Sequence, residues 1–150
     1  MRRLALIAAF AASPVAGQEL VFDISYTLAC LDRAGGSRDA QEDCIGRSAE
    51  ACMSATDMGS STVGMGGCLD REYRYWDDRL NRSYQRLMAE ERAFDAEYGD
   101  LPGAASRAEA LRAMQRAWIP FRDATCDYER SWWGGGTGGG PATASCLMRM

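Results

Sequence analysis

The sequence predicts an all-α protein, a small disulfide-stapled bundle built on a long antiparallel two-helix hairpin. Three observations support this fold class. Two long segments repeat apolar residues at helical spacing, and only a short turn separates them. Six cysteines, an even number, suit three disulfides. A chain of 150 residues is also long enough for one domain with a core of its own.

The first two helices are predicted on either side of a Gly-Gly turn at 35–36. Apolar residues recur at helical spacing over about 24–34, with Ser25 as a candidate cap. They also alternate, so a short strand is the alternative there. A second helix is expected over about 38–53, antiparallel to the first. Residues 57–67, rich in Gly, Ser and Thr, are expected to form a loop.

The third helix, over about residues 68–98, has the clearest pattern. Its opposite face is charged and offers pairs of opposite sign at four-residue spacing, which are Asp70/Arg74, Asp78/Arg82 and Arg86/Glu90. We therefore expect one solvated side and one buried side. The apolar stripe on the buried side consists of Leu69, Tyr73, Trp76, Leu80, Tyr84, Leu87, Phe94 and Tyr98.

A fourth helix is predicted from a cap at Ser106 to about Trp132, after a turn at 99–103. Its apolar stripe should face that of the third helix, which makes an antiparallel hairpin with Trp118 in its core. Pro120 removes one backbone hydrogen bond, so a kink is expected there. The glycine-rich segment that follows is expected to be a flexible loop returning to Cys146. The stripe consists of Leu111, Met114, Trp118, Phe121, Thr125, Tyr128 and Trp132.

The cysteines are expected to form three disulfides, and the predicted elements favour one pairing. Two of them lie at similar height on either side of the Gly-Gly turn, two flank the 57–67 loop, and two can close the glycine-rich segment onto the fourth helix. The predicted pairs are Cys30–Cys44, Cys52–Cys68 and Cys126–Cys146.

The first residues have the pattern of an export signal. Arg2 and Arg3 precede an apolar stretch at 4–12, Pro14 breaks it, and small residues at 15–17 suit signal-peptidase cleavage after Gly17. The stretch is shorter than the roughly 20 residues of a permanent anchor, and no cysteine follows it closely enough for lipidation. We expect a single domain at 18–150, without a membrane anchor, in the periplasm or secreted, where disulfides persist.

The composition excludes several kinds of site. The chain has no His, and its 17 basic residues are all Arg. This rules out a Ser-His-Asp or Cys-His site, a His-ligated metal and a catalytic or phosphate-binding lysine. Removal of Arg2 and Arg3 would change the formal net charge from −4 to −6. Such an acidic chain is not expected to bind nucleic acid or anionic membranes, and it favours a basic partner.

Two motifs resemble catalytic or cofactor sites. A glycosidase needs two carboxylates held across a cleft. Asp70, Glu72, Asp77 and Asp78 instead lie among arginines at ion-pair spacing, so a solvated helical face is favoured. The GGGTGG segment at 134–139 has the spacing of a dinucleotide-binding loop, but it follows a helix instead of a strand, which favours a flexible loop closed by a disulfide that could also contact a partner. We expect no catalytic activity, no cofactor and no metal.

Asn81, Arg122 and Asp123 adjoin the two apolar stripes. Because Asn is unfavourable inside a helix, its position suggests a specific role. A polar network between the helices, which would hold the hairpin in register, is favoured over a surface that recognises a partner.

The spacing of these residues resembles the LprI-type lysozyme inhibitor domain over about residues 52–146. The pattern of that family is a Cys and LN-x-x-Y on one long helix, Q-x-x-W-x-x-[FY]-R-D-x-x-C on the next, and a G-G-[ST] loop before a final Cys. The matching positions are Cys68, Leu80, Asn81, Tyr84, Gln115, Trp118, Phe121, Arg122, Asp123, Cys126, Gly135, Gly136, Thr137 and Cys146.

The resemblance implies an exported binding protein that inhibits a basic lysozyme-type glycosidase by protein contact. An envelope structural or stress-related protein with another partner is the alternative, and a carboxylate hydrolase is the third. Flexible exposed loops can enter a cleft, so the segments 57–67 and 134–140 are the first candidates for contact. The acidic face of the third helix is the second.

Overall fold

The computed structural model describes residues 19–99 and 103–150. The predicted export signal at 1–17 lies outside the described residues. The described part of the chain contains no strand. None of its helices is both long enough and apolar enough to span a membrane. Its helices are α1 (Ser25–Ala34), α2 (Arg38–Glu42), α3 (Arg47–Ala55), α4 (Thr62–Tyr98), α5 (Arg107–Ser131) and α6 (Gly139–Arg149). The all-α prediction is confirmed, and the strand considered near residue 24 is wrong.

The expected single helix over 38–53 is two helices. α2 ends at Glu42 and α3 begins at Arg47, after Gly46 in a left-handed conformation with φ 97°. This backbone conformation favours glycine. Ser25 is not the cap of α1, as expected, but its first helical residue. The side chain of Asp23 instead accepts the backbone N–H of Ser25 at 2.8 Å.

α4 begins six residues earlier than predicted, at Thr62, so the loop expected over 57–67 is wrong in its second half. The hydroxyl of Ser61 accepts the backbone N–H of Gly64 at 3.1 Å and caps the helix. Gly67 has a packing role: a Cβ atom there would lie 2.6 Å from the side chain of Leu20. Capping and close packing thus offset the poor helix propensity of glycine.

Asp95, near the end of α4, stabilises the hairpin by binding the beginning of α5. This carboxylate accepts the Ser106 hydroxyl at 2.7 Å and the backbone N–H groups of Arg107 and Ala108 at 2.8 and 3.0 Å. The Ser106 side chain also accepts the N–H of Glu109 at 3.0 Å, which confirms its predicted role as the cap of α5. α5 continues through Pro120 to Ser131.

The expected flexible return to Cys146 is wrong, because most of that segment is helix α6. α6 packs against both α4 and α5. Gly139, its first residue, is buried against the side chain of Arg130 on α5. Glycines at the start of the segment suggested a loop, but attachment to two neighbouring helices stabilises a helix that local propensity alone does not predict.

Three disulfides join the helices in the predicted pairs. Cys30–Cys44 links α1 to the turn after α2, Cys52–Cys68 links α3 to α4, and Cys126–Cys146 links α5 to α6. All of these cysteines except Cys30 are buried. The other buried apolar residues are few, namely Ala49, Met88, Ala108 and Met148. Disulfides therefore occupy much of the space that large apolar side chains fill in other small domains.

The predicted apolar stripe of α5 is confirmed only in part, because Leu111, Trp118 and Thr125 are partly buried while its other four residues are exposed. The shielded side of α5 consists of Ala108, Leu111, Arg112, Gln115, Trp118, Arg122, Thr125, Cys126 and Glu129. Met114, Phe121 and Tyr128, expected in the core, are exposed. Trp118 is only partly buried, so its predicted position in the core is also wrong. The disulfide at Cys126 and the contacts with α6 rotate α5 away from the orientation that apolar spacing alone favours.

Candidate functional site

Glu72 was expected on a solvated face, but it is fully buried. Its Oε1 accepts hydrogen bonds from the Thr27 hydroxyl at 2.9 Å, the Gly46 N–H at 2.8 Å and the Trp76 indole N–H at 3.1 Å. Its Oε2 accepts the Ala49 N–H at 2.7 Å. One carboxylate on α4 therefore binds donors from α1, from the start of α3 and from its own helix.

This arrangement explains why a charged side chain lies in the interior. The N–H groups at the start of a helix have no partner within that helix, and the helix dipole favours a negative charge there. Gly46 has no side chain with which to cap α3, so Glu72 supplies the cap from α4. Beside it, Thr27 and Ser48 each accept the other's backbone N–H with their hydroxyls, at 3.1 and 3.0 Å. Within the described residues, no buried side-chain N or O lacks a partner.

The other acidic residues of α4 are exposed or partly buried. Asp70 pairs with Arg74 at 2.8 Å, and Asp78 forms an ion pair with Arg82, as the spacing predicts. These carboxylates lie on an outer helical face, while Glu72 is enclosed by its four donors. The carboxylate cluster that the sequence suggested is therefore divided between ion pairs on the helix surface and one buried group.

Asn81, Arg122 and Asp123 do not form the expected network between the helices. Asn81 donates to Asp77 of its own helix at 3.0 Å. Arg122 donates to Asp123, its neighbour in α5, at 2.9 and 2.7 Å. The Arg122 guanidinium also lies 5.0 Å from the ring centroid of Trp118, within cation–π range.

Several motif residues surround a shallow groove where α4, α5 and the end of α6 meet. Its volume is about 200 Å³, and it is lined by Trp76, Leu80, Trp118 and Arg122 together with the last residues of α6. Burial raises the pKa of Tyr73, which also lines the groove, and the charge of Asp77 adds to this effect. Gln115 and Tyr84 are partly buried on the same two helices. We interpret these motif residues as the packing of the hairpin.

Two exposed tryptophans follow directly after α5. Trp132 is 73% exposed and its neighbour Trp133 is 54% exposed. They begin the connection to α6, and from 131 to 146 the chain carries no charge. The Cys126–Cys146 disulfide ties the two helices that flank this segment. We define residues 132–138 as the tryptophan loop.

The tryptophan loop has regular internal structure, although it was expected to be flexible. Backbone hydrogen bonds link the N–H of Trp133 to the carbonyl of Arg130 at 3.1 Å and the N–H of Gly136 to the carbonyl of Trp133 at 2.8 Å. The ring of Trp133 lies against Gly138, where a Cβ atom would collide with it. Gly134 has φ 52°, a conformation that favours glycine. These contacts give the loop a defined backbone conformation.

A family model and two bacterial relatives match parts of this chain. A family model described as lysozyme inhibitor LprI matches residues 52–150. An uncharacterised protein of Rhizobium meliloti is 41% identical over 68 residues, which are 45% of this chain and 49% of that relative, so the alignment spans about half of the relative's length. An uncharacterised 17.7 kDa protein of Rhodobacter capsulatus is 26% identical over 122 residues, 80% of this chain and 70% of the relative. No solved structure matches.

Proposed function

Since the chain belongs to the lysozyme inhibitor LprI family, we propose that it binds and inhibits a lysozyme-type glycosidase by direct protein contact. The observation that carries this proposal is the tryptophan loop, an exposed and uncharged segment whose two flanking helices are joined by a disulfide. The protein acts as a binding protein and catalyses no reaction. Its disulfides suit an oxidising compartment, and we propose that it is exported there.

The shape of the tryptophan loop suits insertion into a cleft. Its glycines carry no side chains, so the backbone can approach an enzyme surface closely. Tryptophans are enriched among the residues that contribute most to protein–protein affinity. Because the disulfide and the internal hydrogen bonds order the loop before binding, it loses less conformational entropy on association. These properties favour the loop over the 57–67 segment, most of which is helical.

The negative net charge of the chain favours its association with a basic enzyme. The chain carries a formal net charge of −4, or −6 without Arg2 and Arg3, and a basic lysozyme would be attracted to it. Opposite charges mainly raise the rate of association. Association should therefore slow between low salt and about 0.15 M salt, where the Debye length is about 8 Å.

The test is clearing of a cell-wall suspension by lysozyme with increasing amounts of the protein, together with calorimetric binding. Trp132→Ala combined with Trp133→Ala should weaken inhibition at least about tenfold, the usual loss for dominant interface aromatics. Tyr26→Ala is the control, because Tyr26 is an exposed aromatic residue on α1, outside both candidate contact segments.

Each result has a definite meaning. Inhibition that survives the double tryptophan substitution would refute the loop as the contact surface. Absence of both binding and inhibition at tens of micromolar, for several classes of lysozyme, would refute the proposed function. That outcome would favour an envelope role with another partner.

A further inference from the structure

One face of α5 is apolar and exposed along most of its length. Met114, Phe121 and Tyr128 repeat every seven residues and are 60, 62 and 63% exposed. Seven residues are close to two helical turns, so these side chains lie in one row. Three exposed alanines, Ala110, Ala117 and Ala124, repeat at the same spacing, each four residues before one of the large side chains. We define these six residues as the α5 seam.

The α5 seam has the arrangement of a coiled-coil interface. In a heptad repeat, two positions separated by three and four residues face the partner helix. Here one of these positions always carries a large side chain and the other always carries alanine. No seam position is charged. A monomer seldom exposes a contiguous apolar surface of this kind without a partner.

We propose that the α5 seam binds the α5 seam of a second copy of this chain, with the two helices antiparallel. In the register centred near residue 119, Met114 of each copy faces Ala124 of the other, and Phe121 faces Ala117. Tyr128 then faces Ala110. Every large side chain meets an alanine, and a two-fold axis relates the copies, as in most homodimers.

Other pairings fit less well. A parallel pair would place identical positions together, so that Phe121 would face Phe121 and each alanine would face an alanine. An antiparallel pair shifted by seven residues would leave one of the three large side chains without its alanine. The alternation of large and small residues therefore selects one orientation and one register.

The exposed area is sufficient for a dimer. A large aromatic side chain offers about 150–250 Å², so the seam residues, which are about 60% exposed, each provide roughly 100–150 Å². With the three exposed alanines, one copy contributes about 500 Å² and a pair about 1,000 Å², which is near the lower limit for a specific interface. Because both copies are acidic, added salt should strengthen this association, whereas it should weaken binding to a basic lysozyme.

The test is the molar mass in solution by analytical ultracentrifugation over a range of protein concentrations. The unchanged protein should form a dimer, and both Phe121→Arg and Ala117→Glu should yield monomers. Mixing the two variants should restore a dimer, because one layer then pairs a guanidinium with a carboxylate and the other keeps the native Phe–Ala contact. Val63→Arg, an exposed position on α4, is the control and should leave the dimer intact.

A monomer at concentrations of several hundred micromolar would overturn the proposal. A dimer that resists Phe121→Arg would place the interface elsewhere and would also overturn it. If the two monomeric variants do not form a dimer when they are mixed, the antiparallel register is refuted. Circular dichroism and the melting temperature of each variant separate loss of association from loss of folding. The proposal does not rest on lysozyme inhibition, because the molar mass is measured in the absence of lysozyme. Tyr128 of the α5 seam does pack against Trp132 of the tryptophan loop, with ring centroids 5.6 Å apart.

Discussion

The carboxylate of Glu72 accepts the backbone N–H of Ala49 at 2.7 Å, so the middle of α4 caps the beginning of α3. The same side chain binds donors of α1 and of Trp76. Three helices thus depend on one buried acceptor, and the disulfide at Cys52–Cys68 lies close by along α3 and α4. This cluster organises the N-terminal part of the fold, while the tryptophan loop and the α5 seam remain free for binding.

Glu72→Ala should be strongly destabilising. It leaves buried donors without an acceptor, each at a cost of about 1–3 kcal/mol, and it removes the cap of α3. We expect a loss of about 3–5 kcal/mol in the free energy of unfolding, measured by denaturant titration. Glu90→Ala, an exposed position on the same helix, is the control and should change stability by less than about 0.5 kcal/mol. Equal stability of the two variants would contradict the buried-acceptor role.

Asp95 should make the hairpin sensitive to acid. Hydrogen bonds from the Ser106 hydroxyl and then from the Arg107 N–H hold its pKa below the ordinary value of 3.8. Because the pKa of Asp95 is lower in the folded than in the unfolded state, its ionised carboxylate stabilises the fold at pH values above the unfolded-state pKa. This stabilisation is lost as the pH falls through the folded-state pKa. The unfolding midpoint of Asp95→Asn should therefore fall less steeply than that of the unchanged protein below about pH 4.

Ser106→Ala gives an independent check on Asp95. Loss of the hydroxyl removes the first cause of the shift, so the pKa of Asp95 should rise towards its ordinary value. Carboxyl chemical shifts followed by NMR during an acid titration would measure it. An unchanged titration of Asp95 in this variant would show that the hydroxyl does not stabilise the carboxylate.

Trp118→Ala should cost about 1–3 kcal/mol of stability, less than the roughly 3–5 kcal/mol usual for a fully buried aromatic. The ring is partly buried, and its contacts include the guanidinium of Arg122. Trp132→Ala is the matched comparison, because that side chain is largely exposed. Urea unfolding of both variants measures the difference, and a Trp132 substitution that costs as much as the Trp118 substitution would contradict the assigned burial.

Removal of the Cys126–Cys146 disulfide, with both cysteines changed to Ser, should lower stability by about 2–4 kcal/mol. It should also weaken lysozyme inhibition, because the flanks of the tryptophan loop are then free to separate. Removal of Cys30–Cys44 is the control, since that disulfide lies among α1 and α2, away from the loop. Loss of inhibition to the same extent in both variants would indicate a general effect of stability instead of a local one.

The long helices could be predicted from the sequence because their signals are local. Ser106 and the three–four spacing that follows it are enough to locate α5. The orientation of that helix could not be predicted, because two adjacent faces of α5 carry apolar residues. Contacts with α6 select which of these two faces is buried. α6 itself was not predicted, because the glycines before it suggested a loop.

The buried role of Glu72 could not be read from its own helix. Its spacing from neighbouring charges is the same as that of exposed residues, and its donors come from positions 23 to 45 residues away as well as from Trp76. The sequence pattern predicted one helix over 38–53, so the need for an acceptor near Gly46, which precedes α3 without a capping side chain, was not evident.

The six cysteines pair in chain order, the first with the second, the third with the fourth and the fifth with the sixth, at separations of only 14, 16 and 20 residues. A chain that enters an oxidising compartment with its N-terminus first would present the cysteines in the order in which they pair. Each native bond could then close before the following cysteine emerges, so reshuffling by a disulfide isomerase, which takes seconds to hours, would be unnecessary. The order of the cysteines thus makes this fold suited to vectorial oxidation.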